Sequence, residues 1–198
     1  MVLQFYEKYP IICFDFDGVI IESSLIKTLA YRELFEKYFP EKISEIIDYH
    51  LSNSGFVRYK KIRYVCEKIM KINDADAIIE KLIVEYEEEI SKKVIECPFV
   101  PGVIDFLELL ARLKKRLYVV SGTPDDELKK IVALRGLGKY FYAIYGGSEL
   151  KEFWLNKIIS DNGCLSSDIL FIGDGLNDYE AARVCGTDFV FRETGENN

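Results

Sequence analysis

The sequence predicts an α/β fold, a parallel β-sheet flanked by helices and interrupted after its first strand by an all-helical insert. Short apolar runs rich in β-branched and aromatic residues recur at Ile11–Phe16, Leu117–Ser121, Tyr142–Tyr145, Ile169–Ile172 and Phe189–Phe191. Several end in Gly, Asp or Ser, as buried strands do. Helical patterns separate the later runs, at Val103–Lys114, Asp125–Leu134, Leu150–Asn162 and Asp178–Val184. Strands alternating with helices imply a parallel sheet with right-handed crossovers. From about Glu22 to Cys97 no strand pattern occurs. The expected division is therefore a sheet domain of residues 1–21 and 98–198, and a helical domain of residues 22–97.

Within the insert the helical patterns are Leu25–Tyr38, Ile43–Leu51, Val57–Met70 and Ala75–Ile95. Ser23 or Ser24 is placed to cap the first. Ser52-Asn53-Ser54-Gly55 is a turn signal between the second and third. Along Leu82–Val94 the acids Glu85, Glu87, Glu88 and Glu89 precede Lys92 and Lys93, which suits the dipole of a solvated helix. Residues 193–198 read as a frayed tail.

Composition narrows the function. The chain has 198 residues, 49% of them apolar and 30% charged, which is ordinary globular usage. A net charge of −7 argues against nucleic acid as the main partner, because phosphate backbones select basic patches. The five cysteines, Cys13, Cys66, Cys97, Cys164 and Cys185, are scattered, odd in number and without a CxxC pair. That argues for a reducing compartment and against a disulfide framework or zinc site. Cys13 and Cys185 sit among apolar residues and read as core. No signal peptide or membrane-spanning run is expected, and a cytoplasmic protein is.

Four clusters carry chemistry. Phe14-Asp15-Phe16-Asp17-Gly18-Val19 ends the first strand with two acids at i and i+2, which point the same way in an extended chain. Clustered carboxylates at a strand end need a cation to offset their repulsion, and Gly18 permits a sharp turn. Val119-Val120-Ser121-Gly122-Thr123-Pro124 ends a strand just before a helix, so that the Ser121 hydroxyl and free amides form either a phosphate-binding corner or a simple N-cap. Lys151, or its competitor Lys157, is placed to grip a phosphoryl oxygen. Ile172-Gly173-Asp174-Gly175-Leu176-Asn177-Asp178 again sets acids at a strand end, a hard-oxygen donor set that suits Mg²⁺.

In this order, DFDGVI, SGT, a later lysine and GDGLND resemble the four motifs of the haloacid dehalogenase superfamily, spanning the whole chain. The resemblance implies a Rossmann-like, doubly wound sheet of order 5-4-1-2-3, with both acid motifs meeting at a topological switch point. The insert is similar to the helical cap of that superfamily's phosphoglycolate phosphatase-like branch, and Pro98-Phe99-Val100-Pro101-Gly102-Val103 to the segment returning to the core. In such relatives the lysine stands a little over twenty residues before the fourth motif's Asp, which selects Lys151 over Lys157.

What the resemblance implies is a Mg²⁺-dependent phosphomonoester hydrolase. Asp15 is the implied nucleophile, forming an aspartyl-phosphate, and Asp17 the general acid and base. Asp15 and Asp174 are implied metal ligands through their side chains and Asp17 through its carbonyl. Asp178 is either a ligand or an orienter of one. Ser121, the Gly122 amide and Lys151 would hold the phosphoryl oxygens. The dehalogenases of the superfamily lack an acid at the Asp17 place, so dehalogenation is not expected. A sugar-phosphate mutase keeps all four motifs and stays open, as does a non-catalytic phosphate-binding role. A signalling receiver domain does not fit, since receivers carry their acceptor Asp on a middle strand and lack such an insert.

The expected substrate is a small phosphorylated metabolite, a sugar phosphate or a phosphoglycolate-like acid, enclosed by the cap. Ser54-Gly55-Phe56-Val57-Arg58-Tyr59 falls where relatives carry a cap loop facing the core. Arg58 either meets an anionic substrate group there or is solvated. His50, the lone histidine, reads as structural or exposed.

Overall fold

The computed structural model describes residues 5–53 and 56–194, so Ser54 and Gly55 of the expected turn and residues 195–198 of the expected tail lie outside it. Five strands form one all-parallel sheet: β1 (Ile11–Phe14), β2 (Arg116–Val120), β3 (Ala143–Tyr145), β4 (Ile169–Gly173) and β5 (Asp188–Phe191), in the order β3-β2-β1-β4-β5. This is the order 5-4-1-2-3 read from the opposite edge. The helices after β1 are α1 (Ser24–Tyr38), α2 (Ile43–Ser52), α3 (Arg58–Tyr64), α4 (Asp76–Glu96), α5 (Val103–Arg112), α6 (Asp125–Leu134), α7 (Lys151–Asn162) and α8 (Leu176–Cys185).

The sheet is apolar without alternation because both faces are covered. Ile12, Phe14, Leu117, Val119, Leu170 and Ile172 enter one buried cluster, whereas Ile11, Cys13, Tyr118, Val120, Ile169 and Phe171 enter the other. Successive residues thus alternate between two cores rather than between core and water. Cys13 is fully buried and Cys185 packs partly buried at the edge of the second core, both as free thiols.

Between β1 and β2 the named elements among the described residues are all helical. In α4 the buried residues Ile79, Leu82, Tyr86, Ile90 and Val94 recur every three or four positions and form one apolar stripe. Its opposite face carries exposed Glu87, Glu88 and Glu89, so the helix is amphipathic rather than solvated all round. The stretch expected as a single helix from Val57 to Met70 is α3 followed by a π-helical turn at Val65–Ile69, where the Met70 amide reaches back to the Val65 carbonyl at 2.8 Å.

The chain leaves the sheet domain and returns to it at one place. The Glu22 amide donates to the Pro98 carbonyl (2.9 Å) and the Val100 amide to the Ile20 carbonyl (3.1 Å). Beside this double crossing, Arg135 after α6 donates to the carbonyls of Ile95 (2.5 Å) and Cys97 (2.6 Å) and covers the Phe99 ring. These bonds satisfy acceptors that the end of α4 leaves open. Past β5 the Arg192 amide donates to the Gly173 carbonyl at 2.7 Å, and its guanidinium holds the Gly18 carbonyl and Glu22.

Candidate active site

Strands β1 and β4 are neighbours, and Phe14 pairs with Ile172 at their carboxyl ends. The Asp15 amide continues the ladder by donating to the Ile172 carbonyl at 2.8 Å. Asp15 and Asp174 therefore leave the sheet side by side, at the point where connections run to opposite sides of β1. Carboxylate oxygens of Asp15, Asp174 and Asp178 all lie within 4.8 Å of one another. Gly18 turns the chain away with φ of 72°, and a Cβ there would sit 1.9 Å from Asp174 Oδ2. Only glycine fits this approach.

Three acids so close repel one another, and the protonation of Asp15 and Asp174 reflects it. Burial pushes the Asp15 carboxyl well above its usual range; Lys151 opposes this, while Asp178, Asp174 and Asp17 add to it. Asp174 is raised to about 7 by burial and then by Asp178. Lys151, the first residue of α7, partly offsets the charge: its Nζ stands 3.0 Å from Asp15 Oδ2 and also donates to Asp178 Oδ1. Burial disfavours the ammonium, but Asp15 and Asp178 outweigh burial and raise its pKa. Lys157 is exposed and pairs with Asp161 at 2.9 Å. The donor set, carboxylate oxygens only and with excess negative charge, fits a hard divalent cation such as Mg²⁺.

Asp17 is held apart from that cluster. Its Oδ2 accepts from Lys27 Nζ and Thr123 Oγ1, both at 2.6 Å, and its Oδ1 accepts from the Ser23 hydroxyl. Burial works against the anion, yet Lys27 and the two hydroxyls prevail and hold the carboxyl below its ordinary range. Ser23 does stand at the N-cap of α1 but caps nothing with its side chain, since its hydroxyl is spent on Asp17. Ser24 donates to Asp174 Oδ2 at 3.3 Å. Lys27, one turn into α1, and Thr123 are site residues that motif reading passed over. Ser23 and Lys27 lie four apart on one helix face, and that spacing beside the first acid pair was the available signal.

The second motif forms a corner between β2 and α6. Ser121 is buried and its Oγ accepts the Thr123 amide at 3.1 Å, so its hydroxyl organises the loop. Gly122 and Thr123, not Ser121, line the cavity above the acids. A Cβ on Gly147 would meet the Gly122 carbonyl at 2.5 Å, so glycine lets the loop after β3 pack against the corner.

That cavity, about 790 Å³, is closed on its far side by the helical insert. Arg58 lines it but is not solvated. It is buried, donates to Glu87 (2.8 Å) on α4 and Glu127 (2.7 Å) on α6, and lies over the Tyr86 ring. One residue of the insert thereby grips the sheet domain. His50 is buried, not exposed, with its ring 4.1 Å from that of Tyr31. Burial, then Lys61 and Lys27, keep the imidazole neutral well below its usual range.

Comparison with known proteins accords with this geometry. Residues 12–191 match the model of the haloacid dehalogenase-like hydrolase family. The phosphoglycolate phosphatase of Aquifex aeolicus (strain VF5) is 30% identical over 193 residues, covering 89% of this chain and 81% of that protein. The phosphorylated carbohydrates phosphatase of Thermotoga maritima is 21% identical, covering 91% and 83%. Among solved structures, CbbY of Rhodobacter sphaeroides in complex with xylulose-(1,5)bisphosphate superposes with a TM-score of 0.74 at 17% identity, covering 95% of this chain and 88% of that one. With its sheet order, its acid pair just after β1 and its matched span in agreement, the chain belongs to the haloacid dehalogenase-like hydrolases, as a phosphoglycolate phosphatase-like member.

Proposed function

We propose that the protein is a Mg²⁺-dependent phosphatase of small phosphorylated metabolites, working through a phosphorylated Asp15. The observation that carries this is the separation of two acid environments at one strand end: Asp15 against Lys151, Asp174 and Asp178, and Asp17 against Lys27, Ser23 and Thr123. Environments that push neighbouring carboxylates apart mark nucleophile and proton carrier. Asp15 and Asp174 would hold Mg²⁺ through their side chains and Asp17 through its carbonyl, with Asp178 as ligand or as the anchor of Lys151. The metal would neutralise the phosphoryl group and the nucleophile so that two anions can meet.

Asp15 forms a bond to phosphorus as the ester P–O bond breaks, and the leaving oxygen takes a proton from the protonated form of Asp17, which is left ionised. Water then attacks the phosphorus, gives its proton back to Asp17, and releases phosphate from Asp15. Asp17 in its anchored, ionised form is the base of the second step. Lys151 and the Gly122 amide stabilise the phosphoryl oxygens, with the Ser121 hydroxyl supporting the corner. The insert, residues 22–97, acts as a cap that excludes water and selects the substrate. The paired crossings at Glu22–Pro98 and Ile20–Val100 suit a hinge, and the Arg58–Glu127 pair suits a latch.

The test is hydrolysis of p-nitrophenyl phosphate and a panel of phosphorylated metabolites with Mg²⁺ and with EDTA. Turnover that requires Mg²⁺ is expected. Turnover indifferent to EDTA would sink the metal assignment.

A further inference from the structure

Arg192 is the first residue past β5 and belongs to none of the four motifs, yet it touches the backbone behind both acid clusters. Its amide donates at 2.7 Å to the carbonyl of Gly173, the residue before Asp174. Its Nη1 donates to the carbonyl of Gly18, the residue after Asp17, and to Glu22 Oε2 at 3.1 Å. Its Nη2 donates to Glu22 Oε1 at 2.6 Å. Arg192 thus meets the end of β4 with its backbone and the loop after β1, two strands away, with its side chain.

The Gly18 turn has a conflict built into it. Only glycine fits, since φ is 72° and a Cβ would sit 1.9 Å from Asp174 Oδ2. Glycine, however, is the residue whose backbone is least constrained by its own sterics. The ladder between β1 and β4 stops at the bond from the Asp15 amide to the Ile172 carbonyl, before this turn begins. Past that point side chains tie the two loops: Ser24, which donates to Asp174 Oδ2 at 3.3 Å, and Arg192. A guanidinium suits the task, because a planar fork held on both oxygens of one carboxylate leaves its Nη1 aimed in a fixed direction. The Gly18 carbonyl belongs to the peptide next to that of the Asp17 carbonyl, so holding one restrains the other. With side chains 25% and 34% exposed, the Arg192–Glu22 pair adds little to stability. Its effect on geometry is larger, since a misplacement of about 1 Å can cost about 10²-fold in rate.

We propose that Arg192 is a positioning residue for the metal-binding end of the site. Through Gly18 and Gly173 it sets the spacing between the Asp15–Asp17 loop and Asp174, and Glu22 aims its guanidinium. The inference rests on the Mg²⁺ reading of the acid cluster and adds the residue outside the motifs that keeps the two halves of that cluster in register.

The test is Mg²⁺ affinity read without turnover, by titration calorimetry, with melting temperature in EDTA and kcat and KM for p-nitrophenyl phosphate measured alongside. Arg192→Met should raise the Mg²⁺ Kd about tenfold, as expected when a group that orients a metal ligand is lost. At saturating Mg²⁺ its kcat should fall several-fold with KM nearly unchanged. Arg192→Lys keeps one donor for the Gly18 carbonyl and should recover most of the affinity. Glu22→Ala, which leaves the guanidinium unaimed, should raise Kd several-fold and decides the matter if Arg192→Met folds poorly. Folded variants that melt lower in EDTA yet bind Mg²⁺ with the wild-type Kd would overturn the proposal, leaving the metal reading intact. A wild type that binds no Mg²⁺ would overturn both.

Discussion

Asp17 owes its protonation state to three residues that the acid motifs do not contain: Ser23, Lys27 and Thr123. Lys27→Met should lower kcat by about 10²-fold, because general acid–base catalysis contributes 10²–10⁴ and depends on a positioned carboxylate. With Lys27 gone the Asp17 pKa rises, so the acid limb of the pH–rate profile should move to higher pH, which steady-state rates across pH would read. Lys61 gives a prediction for stability. Its folded pKa of about 7 lies below the free value of 10.5, so the unfolded chain binds more protons between the two. Lys61 thus opposes folding fully below about pH 7, and the penalty fades as pH rises towards 10.5. Thermal melts should show Lys61→Met more stable than wild type at low pH, with the gap narrowing as pH rises. A gap independent of pH would contradict the burial of a charged lysine.

At the scale of elements, the strands were legible because each is a short apolar run that ends in its own chemistry. Ile11–Phe14 and Ile169–Gly173 deliver Asp15 and Asp174, and helix α6 runs from Asp125 to Leu134 as its pattern indicates. What the pattern missed is long-range. A helical period cannot show that Arg58 on α3 will find Glu127 on α6, 69 residues away, or that His50 will be buried against Tyr31. The solvated reading of Arg58 assumed its charge had no partner in the fold. Its two acids answer that assumption. Arg58→Met should destabilise by about 2 kcal/mol, less than a fully buried pair because Glu87 is half exposed. Adding Glu127→Gln should recover part of that loss, since the uncompensated acid is then neutral. Denaturant titration of the double-mutant cycle measures the coupling.

Across the whole molecule, the net charge of −7 concealed a site whose charge is sorted by depth. The acids gather at the carboxyl ends of β1 and β4, and the cations Lys27 and Lys61 line the insert opposite them. The order of the four motifs announced this arrangement at the reacting end, since it fixes which strands must lie side by side. The insert's lining was not announced, because Lys27 and Lys61 come from two helices with no common spacing. Binding of Mg²⁺ to the folded acid cluster should raise Tm. At a hundredfold excess over Kd the stabilisation is about 2.7 kcal/mol, roughly 5–10 °C for a chain of this size, and EDTA should reverse it. Asp174→Asn should weaken this response.

The most direct measurement is the rate of p-nitrophenyl phosphate hydrolysis by Asp15→Asn in saturating Mg²⁺, beside wild type and with deamidation excluded by mass spectrometry. If Asp15 is the nucleophile, the variant folds, melts in metal-free buffer at or above the wild-type temperature because one buried repulsive charge is gone, and loses about 10³-fold or more in rate. Turnover by Asp15→Asn at the wild-type rate would contradict the assignment.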